Sequence, residues 1–176
     1  MIGEKDHAYG RLQRCTNFNN AVVALRGKRT DIYPVTMEYR AGHGHGGLPD
    51  RDKIADLYPA VRNPVPRDLS WEMTDKVITN FYWLRTSAPA KKRTIEAVCL
   101  DNHITVTTST NLSDASLFVD SRLVDFDRPI VLEVNGKSAT HRIEPRWKTF
   151  CETLLERGDV NLAFTANFQL PLTSQE

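Results

Sequence analysis

No stretch of the chain approaches the roughly 20 consecutive apolar residues that a membrane span needs. Neither sign of charge dominates. Lys and Arg number 23 against 22 Asp and Glu, a formal net charge of +1, which provides no electrostatic footprint for nucleic acid or an anionic membrane. Cysteine is scarce: Cys15, Cys99 and Cys151 are far apart and odd in number. That excludes a disulfide framework and a zinc knuckle. Met1 to Arg14 has no apolar run of the kind a signal peptide carries. Internal repeats and low-complexity tracts are also missing. The compartment is left open.

What is present is an ordinary globular composition, 40% hydrophobic and 26% charged over 176 residues, enough to bury a core without staples. Leu12, Cys15, Phe18, Val22 and Leu25 recur at helical steps, predicting an amphipathic helix over 10–26 that stops at Gly27. Pro34 opens a short strand in which Val35, Met37 and Tyr39 alternate with polar residues. A glycine-rich loop follows, Gly42-His43-Gly44-His45-Gly46-Gly47, then a short helix bearing Ile54, Leu57 and Tyr58. Pro64 and Pro66 bar its continuation, so 60–67 is the expected domain boundary.

Beyond the boundary the period becomes that of strands. Leu69, Trp71 and Met73 alternate, and 94–100, 103–108, 115–119, 130–134 and 161–169 have strand length and content. Phe81-Tyr82-Trp83 reads as strand core rather than a ligand platform, because adjacent strand residues face opposite sides. Asp101-Asn102 and Asn135-Gly136 are turn signals, the second of type I′ and joining 130–134 to a strand at 138–143. Trp147, Phe150, Cys151, Leu154 and Leu155 mark a helix over 146–157 whose apolar stripe covers the strands. Cys15 and Cys151 lie on helical stripes and are expected to be small buried hydrophobes. The basic triplet Lys91-Lys92-Arg93 reads as a solvated turn.

Ile2-Gly3-Glu4-Lys5-Asp6, followed by a helix, a strand and a glycine-flanked histidine, resembles the last two catalytic segments of an α/β-hydrolase. Gly42-x-Gly44-His45, with Asp50-Arg51-Asp52 beyond it, is similar to the histidine loop of that superfamily. The later segments, among them Phe81-Tyr82-Trp83-Leu84 and Val134-Asn135-Gly136, are similar to a β-rich C-terminal extension of bacterial esterase- or peptidase-like members. The resemblance implies Asp6 as the acid and His45 as the base of a triad, with His43 as the alternative base. It implies an α+β fold: an α/β-hydrolase remnant of about two parallel strands with helices over 1–62, then a β-sandwich-like domain with one helix over 68–176.

The sequence contains no Gly-x-Ser-x-Gly nucleophile elbow. The resemblance therefore implies a C-terminal fragment or truncated homologue of an ester or amide hydrolase, inactive alone. Its expected partner is a missing N-terminal hydrolase half, or further copies of the chain covering the strand at 35–39. No cofactor is expected, and neither nucleic acid nor membrane is an expected partner. Two readings of other classes stand beside this one. One is a non-enzymatic binding or assembly module built on the β domain. The other is a metal site at His43, His45 and a carboxylate of Asp50 or Asp52.

Overall fold

The computed structural model describes residues 1–28 and 35–172, and the fold is mixed α+β, with three α-helices among the described residues. The chain divides into two compact units, Met1–Val61 and Arg62–Glu176. Among the described residues no helix is long and apolar enough to cross a membrane.

The first unit holds β1 (Ile2–Gly3), α1 (Arg11–Arg26), β2 (Tyr39–Arg40) and α2 (Ile54–Leu57). The strands β1 and β2 are parallel neighbours, with Ile2 opposite Tyr39 and Gly3 opposite Arg40. Helix α1 joins them, as a parallel pair requires a crossover. It ends at Gly27, whose φ of 54° is open to glycine at no steric cost. Of the strand expected over 35–39, only Tyr39 enters the ladder, and Pro34 lies outside the described residues. The α1 stripe is mostly in solvent: Val22 is buried, whereas Phe18, Leu25 and Cys15 are exposed. That corrects the expectation for Cys15. Two two-residue strands offer the helix little surface to pack on.

The second unit carries two sheets. One has five strands in the order β10 (Lys137–His141), β9 (Ile130–Val134), β7 (His103–Thr108), β6 (Thr94–Leu100) and β3 (Asp68–Glu72). Its pairs are antiparallel except β7–β9. The other has four antiparallel strands in the order β11 (Ala166–Gln169), β8 (Ser116–Val119), β5 (Leu84–Arg85) and β4 (Asn80–Phe81). Alternate residues such as Ile95, Ala97 and Cys99 from the first sheet and Leu84, Leu117 and Phe168 from the second join one hydrophobic cluster. Both residues of each expected turn have positive φ, 47° and 61° at Asp101-Asn102 and 49° and 79° at Asn135-Gly136.

Phe81-Tyr82-Trp83 is not one strand. Tyr82 has φ 51°, and the chain reverses there between β4 and β5. The reversal turns Trp83 wholly inward, where its indole N–H donates to the Pro66 carbonyl at 2.6 Å. The final strand is also shorter than expected, because Val160–Leu162 forms a helical turn.

Helix α3 (Trp147–Arg157) stops at Gly158, φ 63°. It presents Thr149 and Thr153, not the expected stripe, to the interior. The Thr153 hydroxyl donates to the Thr149 carbonyl at 2.9 Å and accepts the Phe164 N–H at 2.9 Å. Those buried bonds fix the helix rotation and leave Trp147, Cys151 and Leu155 in solvent. Cys151 is thus exposed against expectation, and of the three cysteines Cys99 alone is buried. Arg157 locks the C-terminal turn: its guanidinium lies 5.2 Å from the Phe118 ring centre and 5.3 Å from that of Phe164, and donates to the Tyr82 carbonyl.

Candidate functional site

The first unit brings Asp6 and His45 together. Asp6 follows β1 by three residues, in a turn whose N–H donates to the Gly3 carbonyl at 3.1 Å. The Asp6 carbonyl accepts the Leu12 N–H at 3.2 Å, which seats the acid against the start of α1. Between them Tyr9 and Gly10 both take left-handed conformations, φ 54° and 67°, turning the chain sharply into the helix. The Asp6 side chain is 2% exposed and the His45 side chain 73% exposed. His45 Nδ1 lies 3.1 Å from Asp6 Oδ2. The other carboxylate oxygen, Oδ1, accepts from Arg11 Nε at 2.8 Å and lies 2.8 Å from an Arg11 terminal nitrogen.

The histidine loop is held against β1 by backbone. Lys5 N–H donates to the His43 carbonyl at 2.8 Å, and Glu4 N–H to the Arg40 carbonyl at 3.0 Å. Glu4 Oε2 accepts the Gly42 N–H at 2.9 Å. A Cβ at Gly3 would stand 2.5 Å from the His43 carbonyl oxygen and closer still to that of Gly44. Glycine at position 3 is therefore what allows the loop to lie this close. His43 contributes its backbone to the arrangement, whereas the ring that meets Asp6 belongs to His45.

The hydrogen bond from Arg11 holds the Asp6 carboxyl below its ordinary value of 3.8, assisted by the bond to His45, while burial pulls the other way. Asp6 is therefore an anion at neutral pH. An anion is an acceptor only, so Nδ1 of His45 carries the proton in that bond. In a neutral ring Nε2 is then a free base, and it has no hydrogen-bond partner among the described residues.

Sequence reasoning missed Arg11, and it quoted Gly3 and Glu4 in the acid segment without giving either a role. Gly3 had a signal, the glycine three residues before the acid. Arg11 and Glu4 had none, because charged residues at the surface of a turn and a helix start are common. Among the described residues no group of three or more His, Cys, Asp or Glu side chains is placed to hold a metal ion, so His43 and His45 do not form a metal cluster with Asp50 or Asp52. No protein-family model, curated protein or solved structure matches the chain.

Proposed function

We propose that Met1–Val61 is the acid–histidine end of an α/β-hydrolase-type ester or amide hydrolase, with Asp6 as acid and His45 as base. The observation that carries this reading is a buried, ionised Asp6 holding the Nδ1 side of an exposed His45, just past the ends of two parallel strands. A serine hydroxyl is a poor nucleophile until a base takes its proton, and the base must keep Nε2 bare and aimed outward. Asp6 supports that tautomer and steadies the imidazolium that forms. Arg11 on the opposite carboxylate oxygen keeps Asp6 charged and fixed.

The nucleophile comes from another segment or another chain, because this sequence contains no Gly-x-Ser-x-Gly. The chain by itself is expected to turn over no p-nitrophenyl esters. Diethyl pyrocarbonate tests the pair directly, since it acylates bare imidazole nitrogens. His45 is expected to react fastest of the five histidines and to slow in Asp6→Asn. Reaction at His45 unchanged by Asp6→Asn, or esterase turnover that vanishes in His45→Ala, would overturn the reading.

A second reading, assembly through a β-sandwich-like second unit, is favoured by one observation: α3 turns an apolar ridge to solvent.

A further inference from the structure

The Trp147–Cys151–Leu155 ridge has the features of a helix that meets a copy of itself. Trp147 is 79% and Leu155 85% exposed, and Cys151 between them is exposed as well. Spaced four apart, the three form one i, i+4 ridge along the helix. Half-buried Phe150 and Leu154 flank the ridge on one side. Lys148 and Glu152 flank it on the other, while Glu156 turns away to Asn80 and Arg85 of its own chain. Trp147 is braced by an edge-on contact with Phe150, ring centres 5.4 Å apart, so its indole is a rigid anchor of the kind that interfaces use.

We propose that two copies of the chain pair through α3, antiparallel, about a two-fold axis at Cys151. The proposal deepens the assembly reading and does not involve the Asp6–His45 pair. Charge selects both the occupant and the direction. At 1.5 Å of rise per residue, Lys148 lies about 4.5 Å before Cys151 and Glu152 about 1.5 Å after it. A two-fold across the helix axis brings like flank to like flank and reverses direction. Each Lys148 then falls about 3 Å along the axis from Glu152 of the other copy. The apolar flank meets its equal, and Trp147 lies opposite Leu155 of the other copy. A parallel pair would instead lay each charged flank against Phe150 and Leu154 of the other copy, which buries charge against apolar side chains. The Lys148–Glu152 pair within one helix is loose, 3.8 Å, which leaves the ammonium free to bridge across.

The interface is small. An 11-residue helix buries an area at the low end of specific interfaces, under about 1,200 Å² in total. The dimer is therefore expected to depend on concentration. Helix axes about 8–10 Å apart, less two Cα radii of about 2.3 Å, bring the two Cys151 Cα atoms to about 3.5–5.5 Å. That range overlaps the separation a disulfide spans.

Three measurements on the full chain test this. Sedimentation velocity over a concentration series should show monomer passing to dimer. Leu155→Glu should weaken the dimer at least tenfold, with a melting curve unchanged at dilutions where parent and variant are both monomers, since the side chain is in solvent there. A Cys15→Ser variant treated with diamide should give a reducible dimer, and Cys15→Ser/Cys151→Ser should give none. In that reaction two Cys151 thiols lose two protons and two electrons to the azo bond of diamide, which becomes a hydrazine. A dimer indifferent to Leu155→Glu, or one that fails to cross-link at Cys151, would overturn α3 pairing while leaving assembly by another surface. A monomer at every concentration would overturn both.

Discussion

Replacing Gly3 with alanine tests whether the histidine loop is positioned by backbone contact. Gly3 lies in the extended β1 strand, so the substitution brings no conformational strain and its effect is steric. The new Cβ would sit 2.5 Å from the His43 carbonyl oxygen and 2.9 Å from its carbonyl carbon, where ordinary carbon–oxygen contacts begin near 3.3 Å. The loop must withdraw by about 0.8 Å or more, because the obstructing atoms are backbone and cannot rotate away. The Asp6–His45 bond, now 3.1 Å, then stretches past the limit of hydrogen bonding, about 3.5 Å. Overpacking of this kind costs about 1–3 kcal/mol. The Lys5 amide, which donates to the His43 carbonyl at 2.8 Å, reports the loss locally. Its hydrogen exchange should quicken about 5- to 150-fold, the equivalent of that energy. Exchange at Lys5 within twofold of the parent, with His45 resonances unmoved, would refute the close-approach argument.

Three further outcomes are expected. Asp6 has its carboxyl held below 3.8 in the folded chain, so its ionised form adds stability above that pH and the contribution fades as pH falls through the folded value. Asp6→Asn should flatten the acid dependence of Lys5 exchange below about pH 4, and an unchanged profile would show the charge to be idle. Thr153→Val keeps the shape of a buried side chain but strands the Phe164 N–H that now donates to its hydroxyl. A loss of about 1–3 kcal/mol in urea unfolding is expected, and a neutral result would mean that the helix rotation rests on packing alone. Gly136→Val puts a β-branched residue at φ 79°, which should lower stability by about 1–3 kcal/mol, and an unaltered melting temperature would contradict the turn geometry.

The strands of the second unit were legible because their burial alternates. Ile95, Ala97 and Cys99 face the core while Glu96, Val98 and Leu100 face out, a period of two that the residue types mostly repeat. The turns at Asp101-Asn102 and Asn135-Gly136 were legible for a different reason, since few residues other than Asn, Asp and Gly tolerate positive φ. Helix α3 was legible as a helix but not in its rotation. Apolar periodicity selected Trp147 and Leu155 as inward, and two threonines took the buried face instead, Thr153 through its hydroxyl's bonds to backbone. Hydroxyl groups that satisfy carbonyls have no signature in hydrophobic spacing. The same limit applied to Phe81-Tyr82-Trp83, where a left-handed tyrosine breaks a run that reads as continuous strand.

In the first unit the residues Asp6 and His45 stood out by order and by the glycines around them. Their partners did not. Arg11 is a helix-start arginine until the fold wraps it onto Asp6 Oδ1, and the left-handed pair Tyr9-Gly10 that allows the wrap has only its glycine as a sign. The strand at 35–39 was overread, because alternation of Val35, Met37 and Tyr39 marks an extended segment whether or not a neighbour pairs with it.

The proton position on His45 tests the central claim most directly. Long-range proton–nitrogen NMR at a pH where the ring is neutral distinguishes the two tautomers. An ionised Asp6 facing Nδ1 at 3.1 Å requires the proton on Nδ1 and a bare Nε2, the reverse of the preference of free imidazole side chains. Asp6→Ala should return the ring to the ordinary mixture. A parent His45 that already carries its proton on Nε2, or whose tautomer ignores Asp6→Ala, would contradict the account of Asp6 and His45 as an oriented acid–base pair.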